Sequence, residues 1–250
     1  MLDPQEPHNE SSIDRLSPTL RPNRKSAGFQ KWRELLFLHW TVPVEVLRQV
    51  VPASLEIDTF HKQAYLGIVP FAMQSIRPSW WKLTSGFDFL ESNLRTYVHY
   101  QGRPGVYFFS LDAANWLAVQ VARWGWSLPY FHARMALNKQ GENVNYQSHR
   151  FGQPADLTVT YATGACLGPS RPNTIEFFLL ERYLLFVERN GFVHVGQVYH
   201  APYVAHEATL LHCKESICSA AGLPPVTRPP DLIHYCPGVN VEVFALQKQS

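Results

Sequence analysis

The stretch Glu91-Ser92-Asn93-Leu94-Arg95-Thr96-Tyr97-Val98-His99 is the most unusual in the chain. Side chains of a strand alternate between its two faces. Read as a strand, the stretch puts Glu91, Asn93, Arg95, Tyr97 and His99 on one face. Leu94, Thr96 and Val98 take the other and suit a core. If the polar face lines a cavity, it can bind a polar substrate. Glu91 would be the acid or base, and Arg95 would hold a carboxylate by a two-pronged hydrogen bond. A row turned to solvent is the competing reading. Against it, only 17% of residues are charged, so a carboxylate, an amide, a guanidinium and a phenol in one row is unusual filler.

A second group lies in Ala122-Arg123-Trp124-Gly125-Trp126-Ser127-Leu128-Pro129-Tyr130. A helix end followed by a Leu-Pro-Tyr loop would bring Arg123 and Tyr130 near one another. Arg123 also suits the plainer task of neutralising a helix C-terminus. Metal chemistry finds little support among the 11 histidines. His194, His200, His206 and His212 recur every six residues, but Pro202 interrupts them. Residues six apart on a helix are separated by roughly 600° and share no face. There is no His-Glu-x-x-His, no glycine-rich phosphate loop and no Gly-x-Ser-x-Gly elbow. The reading is therefore no metal and no cofactor.

Several elements must position these groups. Leu35–Trp40 reads as a strand and Pro43–Val51 as a short helix, closed by Pro52. Leu55–Phe60 and Ala64–Met73 suggest a hairpin around His61-Lys62-Gln63. Asp88–Tyr100 is a long strand, and Val106–Leu111 returns after the Gly102-Arg103-Pro104-Gly105 turn. Asp112 can cap a helix from Ala113 to Trp124. Phe131–Leu137 and Asn143–Phe151 form a hairpin, followed by a strand at Leu157–Ala162 and a short helix at Thr174–Arg182. Tyr183–Glu188 and Phe192–His200 flank Asn190-Gly191, a strong hairpin signal. Ala205–Ala221 reads as a helix and Val239–Leu246 as a last strand. About ten strands joined by short turns imply a mainly antiparallel sheet with three or four helices packed on it.

Composition narrows the class. The net charge of +2 gives no field suited to nucleic acid or an anionic membrane. With 46% hydrophobic residues the 250-residue chain can bury a sizeable core. No run of about 18 uncharged apolar residues marks a membrane helix. No secretory pattern opens the chain. Four sparse cysteines (Cys166, Cys213, Cys218, Cys236) read as reduced thiols, so a cytoplasmic location is expected. Residues 1–28 lack aromatics and read as a disordered or loosely docked tail before one domain at 29–250.

Longer segments resemble a known group. Leu35–Trp40, Leu47-Arg48-Gln49-Val50-Val51-Pro52, Leu55-Glu56-Ile57-Asp58, Glu91–Val98, Gly105–Asp112, Leu128-Pro129-Tyr130 and Glu181-Arg182-Tyr183 are similar to the YqjF-like family (DUF2071) of the acetoacetate decarboxylase-like superfamily. The resemblance implies an antiparallel acetoacetate-decarboxylase-like β-barrel with flanking helices and an internal ligand cavity. It also implies that Glu91 matches an active-site glutamate in a Glu-Ser pair and that Arg123 matches an active-site arginine. The superfamily's catalytic lysine falls at Tyr130, and a further arginine falls in His39-Trp40-Thr41.

The lysine census bears on this independently. There are 22 basic residues, of which the sequence shows 15 Arg and 7 Lys. An imine-forming lysine needs burial or a cationic neighbour. Only Lys214 has an apolar setting, among Leu210, Leu211, Ile217 and Cys218 at helical spacing, and a lysine stem lying on apolar surface accounts for that. Two main readings follow. One is an enzyme for a small carboxylated or carbonyl compound, without a Schiff base. In it Glu91 moves a proton, Tyr130 donates a hydrogen bond, and Arg95 or Arg123 holds the anion beside Asn93 and Tyr97. The other is a non-catalytic barrel that binds a small molecule, and a scaffold without ligand is a third. Partners are a small-molecule ligand and neither nucleic acid nor membrane; the chain is compatible with a homo-oligomer.

Overall fold

The computed structural model describes residues 13–81, 86–116 and 128–249. Within them the strands are β1 (Gly28–Val42), β2 (Glu56–Ile57), β3 (Ala64–Pro78), β4 (Phe87–Tyr100), β5 (Arg103–Ala113) and β6 (Tyr130–Gln140). They continue with β7 (Asn143–Arg150), β8 (Asp156–Pro169), β9 (Leu184–Arg189), β10 (Phe192–Tyr199), β11 (Val204–Glu215) and β12 (Leu232–Lys248). The α-helices among these residues are short: α1 (Val44–Arg48), α2 (Ile175–Leu180) and α3 (Ile217–Ala220).

In three strands burial is continuous rather than alternating. Leu35–Trp40, Ala64–Phe71 and Glu91–Val98 are buried at every position. A strand with no solvent face must separate two interiors. The pairing explains how. One closed circuit runs β12-β1-β3-β4-β5-β6-β7-β8-β11 and back to β12. A second runs β12-β1-β3-β4-β5-β9-β10 and back to β12. The circuits share the wall β12-β1-β3-β4-β5. All pairings are antiparallel except β5–β6 and β5–β9.

Each face of the wall has its own core. Leu36, Leu38, Ile68, Leu94 and Val98 pack with Tyr146, Val159 and Tyr161 in the larger ring. Leu35, Phe37, Val69 and Phe71 pack with Leu180, Tyr203 and Val239 on the other side. Close approach holds the smaller ring shut at Gly105. A Cβ there would meet the Leu184 carbonyl oxygen and the Phe186 ring, each at 2.6 Å. Gly105→Ala is expected to cost about 1–3 kcal/mol by overpacking the β5–β9 junction. Urea unfolding that places the variant within error of the parent would show that the junction can yield.

Local rules account for several elements. Asn190 and Gly191 both have positive φ, 53° and 74°, as a tight primed turn between β9 and β10 requires. Thr174 caps α2 by accepting a hydrogen bond from the Phe177 amide at 3.3 Å.

Three expectations need correction. The segment read as a helix at Ala205–Ala221 is strand β11 followed by α3. Three register shifts against β8 break its period-2 pattern, so its apolar residues fall at helix-like intervals. Lys214 therefore lies on a strand, exposed. Leu55–Phe60 is not a hairpin partner of β3. Only Glu56–Ile57 is a strand, and it pairs with β4. Asp112 caps no helix but sits inside β5, buried. Beyond Trp116, the expected helix to Trp124 lies outside the described residues, as does Arg123.

Residues 13–27 lie along the rings. The Asp14 amide bonds the Gly102 carbonyl at 3.0 Å. Arg15 reaches Asp58, and Arg21 reaches Glu242.

Candidate functional site

β4 delivers the polar row. Glu91, Asn93, Arg95 and Tyr97 are 3%, 5%, 8% and 0% exposed, so the row faces an interior rather than solvent. Leu94 and Val98 belong to the opposite core. His99, at the end of the same face, is only partly buried and lies 3.7 Å from Glu56.

The row divides into two groups. At one end the Tyr130 hydroxyl donates to Glu91 Oε2 at 2.8 Å. Tyr130 is placed by the start of β6, where it pairs beside Leu111. From the other side of the wall, the Tyr146 hydroxyl donates to the Glu91 backbone carbonyl at 2.7 Å. Burial pushes the Glu91 carboxyl up to about 8, and the nearby Asp112 adds to the rise, while the Tyr130 hydrogen bond opposes it. Glu91 is thus mostly a neutral acid at pH 7. Burial and Glu91 push the Tyr130 phenol well above its ordinary range, so it remains a donor.

At the other end Arg95 turns away from Glu91. Its Nη2 approaches the Leu179 carbonyl at 3.3 Å and the Tyr97 hydroxyl at 3.4 Å. Its guanidinium lies over the Phe37 and Tyr97 rings, each at 5.6 Å. Tyr97 donates to the Leu179 carbonyl at 3.1 Å and lies 2.6 Å from His39 Nε2. With the phenol proton on Leu179, His39 Nε2 carries a hydrogen and donates to Tyr97. Burial, then Arg95 and His234, hold the His39 imidazole well below its usual value, so it is neutral. Gly67 makes room for the pair, since a Cβ there would lie 3.2 Å from His39 and 3.4 Å from the Tyr97 hydroxyl.

Asn93 Oδ1 and Arg95 Nε on this face lack a hydrogen-bond partner among the described residues, as do Nδ1 of His99 and of His39. An acceptor and a cationic donor left open in an apolar interior are costly unless a ligand or water completes them. Glu91 and Arg95 are four residues apart, roughly 13 Å along the strand. Asn93 lies between them.

The sequence reading missed the residues that support this face. His39 stands in the stretch where the superfamily comparison expected an arginine, so position alone could have flagged it. Arg182, within the quoted Glu181-Arg182-Tyr183, donates to Asp58 Oδ2 at 2.7 Å and stacks on Phe178 and Tyr97. Arg15 grips the same carboxylate with two hydrogen bonds of 2.6 and 2.7 Å. Burial works against the Asp58 charge, but Arg182 and Arg15 prevail and hold its carboxyl below the ordinary value. Asp112 pairs with Arg150 at 2.7 Å, both 1% exposed. No sequence signal joins these residues.

The six described lysines (Lys25, Lys31, Lys62, Lys139, Lys214 and Lys248) are all exposed; Lys82 lies outside the described residues. Grooves of about 350 and 200 Å³ open elsewhere, and neither is lined by Glu91, Arg95 or Tyr130. Among the described residues no cluster of His, Cys, Asp and Glu could hold a metal ion, and no helix is long and apolar enough to cross a membrane.

Comparison with known proteins bears on the fold and the family. The chain is 34% identical over 223 residues to uncharacterised protein YqjF of Bacillus subtilis (strain 168), covering 88% of this chain and 92% of that one. Its fold is similar to that of the enduracididine biosynthesis enzyme MppR complexed with pyruvate, with TM-score 0.63, 12% identity and coverage of 91% and 92%. It is equally similar to acetoacetate decarboxylase from Legionella pneumophila, with TM-score 0.62, 12% identity and coverage of 100% and 98%. The mainly β, acetoacetate-decarboxylase-like fold is therefore shared despite low identity. The DUF2071 family, described as an uncharacterised conserved protein, matches residues 29–240, and on that match and the YqjF identity the chain belongs to it.

Proposed function

We propose that the chain is an enzyme acting on a small carboxylated or carbonyl compound held against the Glu91–Tyr97 face, without a Schiff base. The observation that carries the reading is Glu91, buried and mostly protonated at neutral pH, with Tyr130 on its carboxyl and an incompletely bonded Arg95 on the same face. Glu91 passes its proton to a carbonyl oxygen or a carbanionic carbon and recovers one when the product leaves. Tyr130 stabilises the carboxylate left behind. Arg95 holds the substrate carboxylate, Asn93 and Tyr97 orient it, and Arg123 is the alternative anchor. The separation of Glu91 from Arg95 favours a substrate longer than a three-carbon acid. Exposure of the described lysines supports chemistry without an imine.

Ligand-observed NMR against a panel of oxo and hydroxy acids, followed by turnover assays on the binders, tests this. Glu91→Gln is expected to lower turnover by about 10²–10⁴-fold with modest change in affinity, and Arg95→Gln to weaken binding. Binding without turnover of any bound compound would instead establish the second reading, a non-catalytic binding protein. Borohydride reduction in the presence of a bound oxo acid should leave every lysine unmodified by mass spectrometry; a lysine adduct would overturn the exclusion of imine chemistry.

A further inference from the structure

We propose that the outer face of β6, β7, β8 and β11 carries a second site, suited to the phosphate group of a small phosphomonoester. On β7, Val144, Tyr146, Ser148 and Arg150 are buried, so Gln147 and His149 turn outward. Register aligns Arg134, His149 and Asp156 across three strands. The next row aligns Ala136, Gln147, Thr158 and Lys214 across four. Both rows line a half-open groove of about 350 Å³.

The charges in this groove are ordered. Arg134 on β6 and Lys214 on β11 bring positive charge from its two flanks. The one carboxylate in the lining, Asp156, is taken up by His149 Nδ1. Ser216 fixes the Asp156 backbone in both directions: its hydroxyl accepts from the Asp156 amide and its amide donates to the Asp156 carbonyl, each at 2.9 Å. Asp156 thereby sets the His149 ring and leaves Nε2 for a ligand. That ring nitrogen, the Gln147 amide and the Thr158 hydroxyl put polar groups between the two cations. Two cations and several donors around one opening match the oxygens of phosphate. The small Ala136 side chain keeps the floor low, and the volume leaves space for an organic substituent beside the phosphate.

The full chain is titrated with inorganic phosphate and with ribose 5-phosphate, followed by ¹H–¹⁵N NMR at constant ionic strength. Both are expected to shift the His149, Gln147 and Thr158 resonances, with ribose 5-phosphate the tighter ligand. Arg134→Ala and Lys214→Ala should each weaken binding about tenfold, the loss of one charge-assisted contact. Both positions are exposed, and matching thermal midpoints confirm that the variants fold. Glu91→Gln should leave phosphate binding unchanged, which keeps this site separate from the proposed reaction site. Absence of shifts at the three resonances, or parent-like affinity in the Arg134→Ala/Lys214→Ala double variant, overturns the proposal.

Discussion

Asp112→Ala is expected to destabilise the fold by about 3–5 kcal/mol, the range for removing one partner of a buried ion pair. Arg150 would keep its charge at 1% exposure, over the Phe131 ring at 4.0 Å, without the acceptor that now binds Nε at 2.7 Å. Its Nη2 already lacks a partner among the described residues, so little remains to compensate. A size-matched apolar pair behaves differently, because no charge is then stranded. Asp112→Leu/Arg150→Met should therefore be more stable than Asp112→Ala alone. Urea denaturation of the three proteins decides it; a loss below about 1 kcal/mol for Asp112→Ala would contradict the buried-pair account.

The second large effect is a pH dependence centred on Glu91. Its folded-state carboxyl titrates near 8, against an ordinary value of 4.5. Between those values the native state holds a proton that the unfolded chain releases. Stability from this group is thus present at low pH and drains away as pH rises toward 8, by a few kcal/mol in all. Asp112 and Glu181, also raised chiefly by burial, act in the same direction. Asp58, whose carboxyl is lowered, acts in the opposite direction, and its contribution is lost as acid protonates it. Glu91→Gln removes one of these contributions cleanly, because a neutral amide still accepts from Tyr130. The variant should match its parent below pH 4.5, where both states of the parent hold the proton, and exceed it in stability at pH 9. Superimposable stability–pH curves for the two proteins would rule out a protonated buried Glu91.

The polar row was legible because β4 keeps strict alternation between two unlike environments. Glu91, Asn93, Arg95 and Tyr97 could be assigned to one face without knowing what lay opposite. The Asn190-Gly191 turn was equally readable, since it depends on a few adjacent residues. What stayed hidden depends on distant partners or on defects in the period. Bulges in β11 imitated a helix. Asp112 looked like a cap because Arg150, its partner, lies 38 residues away. Arg95 and Glu91 appeared as neighbours on a line, whereas the Leu179 carbonyl and Tyr97 draw the guanidinium to the far end.

The shared wall has a further consequence. It is one peptide layer thick, and every residue of its central stretch belongs to one chamber or the other. A slip of β4 by one position would not merely misalign a sheet. It would carry Glu91, Asn93 and Arg95 into the chamber of Leu36 and Val159, and Leu94 and Val98 into that of Phe37 and Tyr203. The two chambers are therefore not independent compartments for engineering. The Tyr146 hydroxyl, in one, already holds the backbone of Glu91, whose side chain serves the other. Reshaping either chamber reshapes its neighbour through the partition they share.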